Sequence, residues 1–253
     1  MMRDDKIHGD FKLPLTKGGK HSDRYMLKFG QGFEYVRPLF INNHKRWMFK
    51  GVLHEFLHNI DHVNEDSVIQ GNYYIDSGRT GNRSQNPLKY YEDAMILQAA
   101  YEKELPLPDK GLSGRYAFYC GRSFKDSGPK YFTQSIEWYK KVLEIPNHWH
   151  QEKYYAALEI GIMYREKKEM DEAVKYFLKT MEYDGERIEG LIMAIEYFYQ
   201  SGQFILINAL YHKFKNYKHE VDNKLFINRH LYQDRLEFFN AITAYSHSVN
   251  DKT

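Results

Sequence analysis

The stretch Tyr154–Gly185, YYAALEIGIMYREKKEMDEAVKYFLKTMEYDG, sets small and aromatic residues at fixed offsets: Ala157, Ile160, Gly161, Tyr164, Ala173 and Phe177. Two antiparallel helices that approach closely need small residues at their crossing, and Gly161 and Ala173 supply them. Tyr164 and Phe177 fill the space beside that crossing. The pattern predicts a helical hairpin, and it recurs. Upstream, Arg115–Lys125 and Gln134–Glu144 carry Gly121, Phe124, Ser135, Tyr139 and Pro146 at corresponding positions. Gly121 precedes Gly161 by forty residues, because IPNHWHQ is interposed between the two hairpins. Downstream the step is 34 residues, with Ile195, Phe198, Ile207 and Tyr211 standing for Gly161, Tyr164, Ala173 and Phe177. Hairpins of this kind bury their apolar faces by stacking on one another.

The spacing resembles the tetratricopeptide (TPR) unit, W-x2-L-G-x2-Y followed by A-x3-F within about 34 residues. Ala157 stands in place of its tryptophan and Gly185 in place of its final proline. That resemblance implies an α-solenoid presenting a concave surface to a protein partner. Ahead of the repeats, Leu88–Glu104 reads as an amphipathic helix with Tyr91, Ala94, Leu97 and Tyr101 inward, Asn86 as N-cap and Pro87 in its first turn. PLPDKGLSG breaks it. After the repeats, Lys224 to about Tyr245 reads as one more amphipathic helix, with Leu225, Phe226, Leu231, Leu236, Phe238 and Phe239, able to cap the stack.

Composition narrows the function classes. A net charge of +2 removes the simplest case for nucleic acid, which needs a clustered basic excess. The short basic run Lys213, Lys215, Lys218 and His219 reads as a charged helix end. An apolar fraction of 42% allows a proper core. The single cysteine, Cys120, excludes internal disulfides and suits a reducing compartment. With no apolar stretch of signal-peptide or membrane-span kind, the expectation is a cytoplasmic chain with no membrane span.

Residues 1–87 read differently. Tyr25–Phe29 and Phe33–Ile41 have β character, and Pro38 inside the second predicts an edge position or a break. Asn72–Ile75 reads as a further strand. From Trp47 to about His62, Val52, Leu53, Phe56, Leu57 and Ile60 fall at helical spacing and predict an amphipathic helix. His54, His58 and His62 would then lie roughly opposite the apolar face. His54-Glu55-Phe56-Leu57-His58 is a literal H-E-x-x-H, in which two histidines one turn apart bind zinc and the glutamate is the general base. His62 would stand about 12 Å along the axis from His54, too far to complete one tetrahedral ion. A zinc hydrolase is therefore the remotest reading, behind a polar helix face. The loop Ser77–Pro87 carries Arg79 and Arg83, whose guanidinium forks suit an anion; its other reading is a solvated connector.

The order of GDFKLP, YMLKFG, FEYVRPLFINN, RWMFKGVLHEFL, NYYIDSGRTGNRSQNPLKYYEDA and GRYAFY…SFKDSG…SIEWYKK resembles the latter part of family 2 glycosyltransferases that carry C-terminal TPR repeats. The resemblance covers roughly residues 2–200. It implies that Asp4 and Asp5 match the last two acids of a metal-holding D-x-D-D motif, that Glu55 is the candidate base for the acceptor hydroxyl, and that His54 is a candidate metal ligand or orienting partner. The cation would be Mn²⁺ or Mg²⁺, on the diphosphate of a nucleotide sugar. Met2-Arg3 stands where the family motif begins with aspartate, and the family's nucleotide-binding half would lie ahead of residue 1. The expectation is thus a mainly α chain in two parts. Residues 1–87 form a mixed α/β acceptor-side remnant, and residues 88–253 form TPR-like repeats with a cap helix. Such a chain acts as a protein-interaction module that is not catalytic alone, or as an active or split glycosyltransferase, the split form with a separately encoded nucleotide-binding half.

Overall fold

The computed structural model describes residues 5–12, 22–30, 35–61, 66–77, 86–215, 224–227, 229–232 and 237–241. The chain is mainly helical with a sheet region at its N-terminal end. It divides into two compact units, Met1–Ala100 and Tyr101–Thr253, so the division falls inside a helix rather than at residue 87.

In the first unit the strands are β1 (Lys6–Phe11), β2 (Arg24–Phe29), β3 (Tyr35–Ile41), β4 (Trp47–Lys50), β5 (Phe56–Asn59), β6 (Asp66–Val68) and β7 (Gly71–Asp76). The main sheet runs β1-β7-β2-β3, with β6 also pairing β2. β3 lies at its edge, and the register against β2 slips between Tyr25, opposite Phe40, and Met26, opposite Pro38. Pro38 thus sits where an edge and an irregularity spare it a ladder hydrogen bond. β6 and β7 both run parallel to β2, but they meet it only at its two ends. The Tyr73 hydroxyl closes the gap, accepting from the Lys28 amide at 3.3 Å and donating to the Ile69 carbonyl at 2.9 Å. Leu27, Phe29, Ile69, Tyr73 and Ile75 form the core beneath.

The helix expected from Trp47 to His62 is not formed. β4 and β5 are an antiparallel hairpin, with Trp47 opposite Asn59 and Lys50 opposite Phe56. Burial along β5 alternates, with Leu57 and Asn59 buried and Phe56 and His58 half-buried. Period two has won over a spacing that a short apolar run also satisfies. The turn explains the outcome, because Gly51 at φ 114° and His54 at φ 52° are outside helical space. Arg24 ties the hairpin to the sheet: its fork holds Asp66 on β6 at 2.7 and 2.5 Å, and its third nitrogen donates to the Leu57 carbonyl at 2.8 Å.

Helix α1 (Lys89–Glu104) begins as its sequence indicates, the Asn86 side chain accepting from the Leu88 amide at 2.9 Å. In the second unit follow α2 (Ser113–Asp126), α3 (Phe132–Glu144), α4 (His150–Glu166), α5 (Met170–Tyr183), α6 (Glu189–Gln200) and α7 (Phe204–Phe214). Each packs on the next in chain order, and α2 also touches α4. The small residues stand where the helices cross. A methyl added at Gly161 would lie 2.5 Å from the Phe177 ring, and one at Gly121 would lie 3.0 Å from the Tyr139 ring. The Ser135 hydroxyl donates to the Gly121 carbonyl at 2.7 Å.

The ends of the first helices repeat as well. After α4, Lys168 at φ 64° closes a Schellman turn, with Glu169 N–H to the Tyr164 carbonyl at 2.9 Å. After α6, Gly202 at φ 70° does the same, with Gln203 N–H to the Phe198 carbonyl at 2.8 Å. Gly128, at φ 106°, holds the matching place after α2. Among the described residues the expected single helix from Lys224 to Tyr245 is not continuous: residues 224–227 are a turn with Phe226 at φ 49°, Arg229–Tyr232 is a short 3-10 helix, and residues 237–241 are helical.

Gly161→Ala decides between two opposed effects. Helix propensity favours alanine by about 1 kcal/mol, whereas forcing a methyl into a filled crossing costs about 1–3 kcal/mol. With Phe177 at 2.5 Å the clash wins, so denaturant titration followed by circular dichroism should give a lower midpoint for the variant. A higher midpoint would mean that the crossing has room to spare.

Candidate functional site

The residues singled out in the first unit do not converge. Glu55 and His54 are exposed on the turn between β4 and β5, and His58 is half-buried on β5 opposite Met48. His54 and His58 therefore do not share a helix face, and the zincin geometry is lost. Asp5 precedes β1 and accepts from the Ser77 hydroxyl at 3.3 Å. Asp4, His62, Arg79 and Arg83 lie outside the described residues. Among the described residues no three of His, Cys, Asp and Glu come close enough to hold a metal ion. Neither Asp5 nor His54 therefore joins two further described donors for Mn²⁺, Mg²⁺ or zinc.

The second unit does assemble a site. Arg115, Tyr119 and Arg122 follow one another at turn spacing along one face of α2, and Tyr155 and Glu159 do so on α4. Lys125 of α2 reaches Glu159 of α4 at 2.6 Å, which ties the two helices together. Against this face lies the chain's own segment from Lys224. The Phe226 ring packs 4.2 Å from the Arg122 guanidinium and 5.0 Å, edge-on, from the Tyr155 ring. Arg115 caps the Tyr119 ring at 4.8 Å, and the Tyr139 hydroxyl is buried with no hydrogen-bond partner among the described residues.

The segment is fastened at the end where α4 and α6 begin. Arg187, fully buried in the α5–α6 connection, donates through Nη1 to the Gln151 side chain at 2.9 Å and to the Leu225 carbonyl at 2.7 Å. Its Nη2 and Nε go to the two oxygens of Glu189, at 2.8 and 3.3 Å. Glu189 also accepts from the Tyr154 and Tyr232 hydroxyls, at 2.9 and 2.7 Å. The Arg187 cation lies 4.0 Å over the Tyr154 ring. Lys224 donates to Asp184 and Glu186, both at 2.8 Å, while the Gln151 amide donates to Asp184 at 2.6 Å.

Charge sets the protonation states. Burial pushes the Glu189 carboxyl up, but hydrogen bonds and charge from Arg187, with help from Tyr232, outweigh it and leave Glu189 below its ordinary value. Asp184 is likewise raised by burial and lowered further by Lys224 and Gln151, for a net fall. Burial lowers Lys224, and Asp184 and Glu186 bring it above its ordinary value. Burial, with the Glu189 charge next, pushes the Tyr154 and Tyr232 hydroxyls up, so both stay protonated donors.

What this arrangement can do is hold a short polypeptide by its backbone, one cation and one ring. Sequence reasoning missed Arg187, Gln151 and Lys224, which belong to no motif. One signal existed: Arg115, Tyr155 and Glu189 stand forty and 34 residues apart, the same steps as the hairpins, and so occupy equivalent places on successive first helices. No protein-family model matches the chain, and no curated protein matches it. Among the described residues no helix is long and apolar enough to cross a membrane.

Removing one partner of a buried ion pair strands the other, at a cost of about 3–5 kcal/mol. Arg187→Met should accordingly lower the denaturation free energy of the helical unit by that order, measured by urea titration. A change below about 1 kcal/mol would place the pair in water rather than in the interior.

The pH dependence follows from the same shifts. Asp184 and Glu189 are depressed in the folded state, so their stabilisation is complete above their ordinary values, 3.8 and 4.5, and is lost as pH falls through the folded ones. Lys224 is raised, so its share is complete below 10.5 and is lost as pH rises beyond it. Urea midpoints should therefore be flat between about pH 5 and 10 and fall on either side. Arg187→Met should flatten the acid limb.

Proposed function

We propose that the chain is a protein-interaction module built from TPR-like helical hairpins, whose groove across the first helices of successive hairpins binds an extended polypeptide segment. The observation that carries this reading is Lys224–Ile227 seated in the groove, with the Leu225 carbonyl on Arg187 and the Phe226 ring between Arg122 and Tyr155. The steps of forty and 34 residues support the repeat assignment, as do Gly128, Lys168 and Gly202 in matching left-handed positions. A stack of this kind curves, and its inner face is where an extended ligand gains most contact. Cation–ring packing of the Arg122 type holds an aromatic residue with about 0.5–2 kcal/mol.

A glycosyltransferase origin is part of the proposal, resting on the ordered resemblance over roughly residues 2–200. One observation keeps an active glycosyltransferase as a second reading: Glu55 is exposed on a turn that Arg24, through the Leu57 carbonyl, fastens to the main sheet. A carboxylate held in that way suits a base for an acceptor hydroxyl.

Panning a displayed random-peptide library on the immobilised full chain tests the first reading. Enriched peptides are expected, and Tyr155→Ala should weaken them about tenfold or more, as loss of an aromatic anchor does. Failure to enrich any peptide would overturn it. Calorimetric titration with UDP- and GDP-sugars in Mn²⁺ addresses the second. The interaction reading expects no saturable heat; saturable, metal-dependent binding would instead favour the transferase and make Glu55→Gln the next variant.

A further inference from the structure

The segment from Lys224 is held in a manner unlike the rest of the helical unit. Where the central hairpin crosses most closely, at Gly161 against Phe177 and Ala173, the contacts are apolar and buried. Where the segment lies, its partners are an arginine, a glutamine, two carboxylates, a tyrosine and a second guanidinium. Once Lys224–Phe226 leaves, water can take its place on Asp184, Glu186, Gln151 and Arg187, whose charge Glu189 still meets; it cannot do so for an apolar core or for the buried Ile227 that follows. Polar contact surfaces of this composition belong to exchangeable interfaces rather than to permanent ones. The backbone agrees, since Phe226 sits at φ 49°, a conformation that a bulky residue adopts only under constraint.

We infer that the groove across α2 and α4 is a peptide site closed by the chain's own Lys224–Phe226, and that it accepts in trans a segment of the same chemistry: a basic residue with an aromatic ring two positions further on. The bound segment defines each requirement. The basic residue enters the notch between Asp184 and Glu186. The residue after it offers its carbonyl to Arg187 and its amide, at 3.3 Å, to Gln151. The ring then reaches Arg122 and Tyr155. A partner must displace the internal copy, so the apparent affinity is lowered by the fraction of chains with the groove open. This inference rests on the interaction-module reading and adds to it the ligand chemistry and the self-closure.

The test uses the full chain and a fluorescein-labelled synthetic peptide spanning residues 221–229, read by fluorescence anisotropy. Phe226→Ala, which empties the ring site of its internal occupant, should bind the peptide about tenfold or more tightly than the wild type does. Adding Arg122→Ala to that variant should remove the gain, and a peptide with alanine at the ring position should not bind. Equal or absent binding by both folded chains overturns the proposal. Should Phe226→Ala lose its helical dichroism, Lys224→Glu replaces it, with the same gain expected. If both variants unfold, the segment is part of the core and the proposal fails. Library peptides that bind the groove yet are not displaced by the 221–229 peptide would sink this inference alone. A library yielding nothing would sink the module reading with it.

Discussion

A fully buried arginine commits everything around it. Arg187 lies in a connection, with no helix to hold it, and its charge must be met within the protein interior because water is excluded. Glu189 meets it through a two-point fork, Gln151 and the Leu225 carbonyl take the remaining nitrogen, and Tyr154 supplies a ring face. Those partners come from the start of α4, the start of α6 and the segment after residue 223. One cation therefore sets where a helical hairpin begins, how the next one follows and where the chain's own distal segment rests.

The first unit uses the same device on a smaller scale. Arg24 divides its donors between Asp66, on a neighbouring strand, and the Leu57 carbonyl, in a separate hairpin. A planar guanidinium can bridge three elements where an ammonium holds one or two points without direction. In each unit one guanidinium also reaches an element that no ladder connects to its own, the β4–β5 hairpin for Arg24 and the segment from Lys224 for Arg187. Apolar packing does the opposite work. Gly161, Gly121 and Ala173 let helix approach helix closely, and at Gly121 a single hydroxyl, Ser135, adds a hydrogen bond to the apolar contact.

This division of labour bears on function. The surface formed by α2 and α4 is stiffened from behind by apolar crossings, while its groove side carries the half-buried Arg115, Tyr119, Arg122 and Tyr155, with Glu159 buried beside them. On the proposed reading, a preformed platform of charged and aromatic groups would bind an extended chain with little reorganisation. The segment that occupies it carries one cation and one ring in matching order, and it is held largely by groups that water can also satisfy.

Much of the helical unit was legible in the residues themselves. Gly121, Gly161 and Ala173 announced close crossings, and the steps of forty and 34 residues announced equivalent hairpins, because helix crossings depend on local side-chain size at a fixed period. Asn86 and Pro87 marked the start of α1, since a cap is satisfied within one turn of chain. Pro38 marked a sheet edge for a similarly local reason, its missing N–H. The stretch Trp47–His62 was decided elsewhere. Its apolar residues fit a helix as well as a hairpin, and the strand pairing of Trp47 with Asn59, with Arg24 fastening Leu57, settled what periodicity left open. With the helix went the shared face of His54 and His58. The fate of Lys224–Phe226 was beyond sequence pattern too, because its apolar residues suit a helix and only a buried charge 38 residues earlier, at Arg187, draws the Leu225 carbonyl aside. The sequence by itself determined the helices of the repeated hairpins and how closely they cross. Only the tertiary structure decided what fills the groove between them, because buried charges take their partners from wherever the fold brings a carbonyl or a carboxylate.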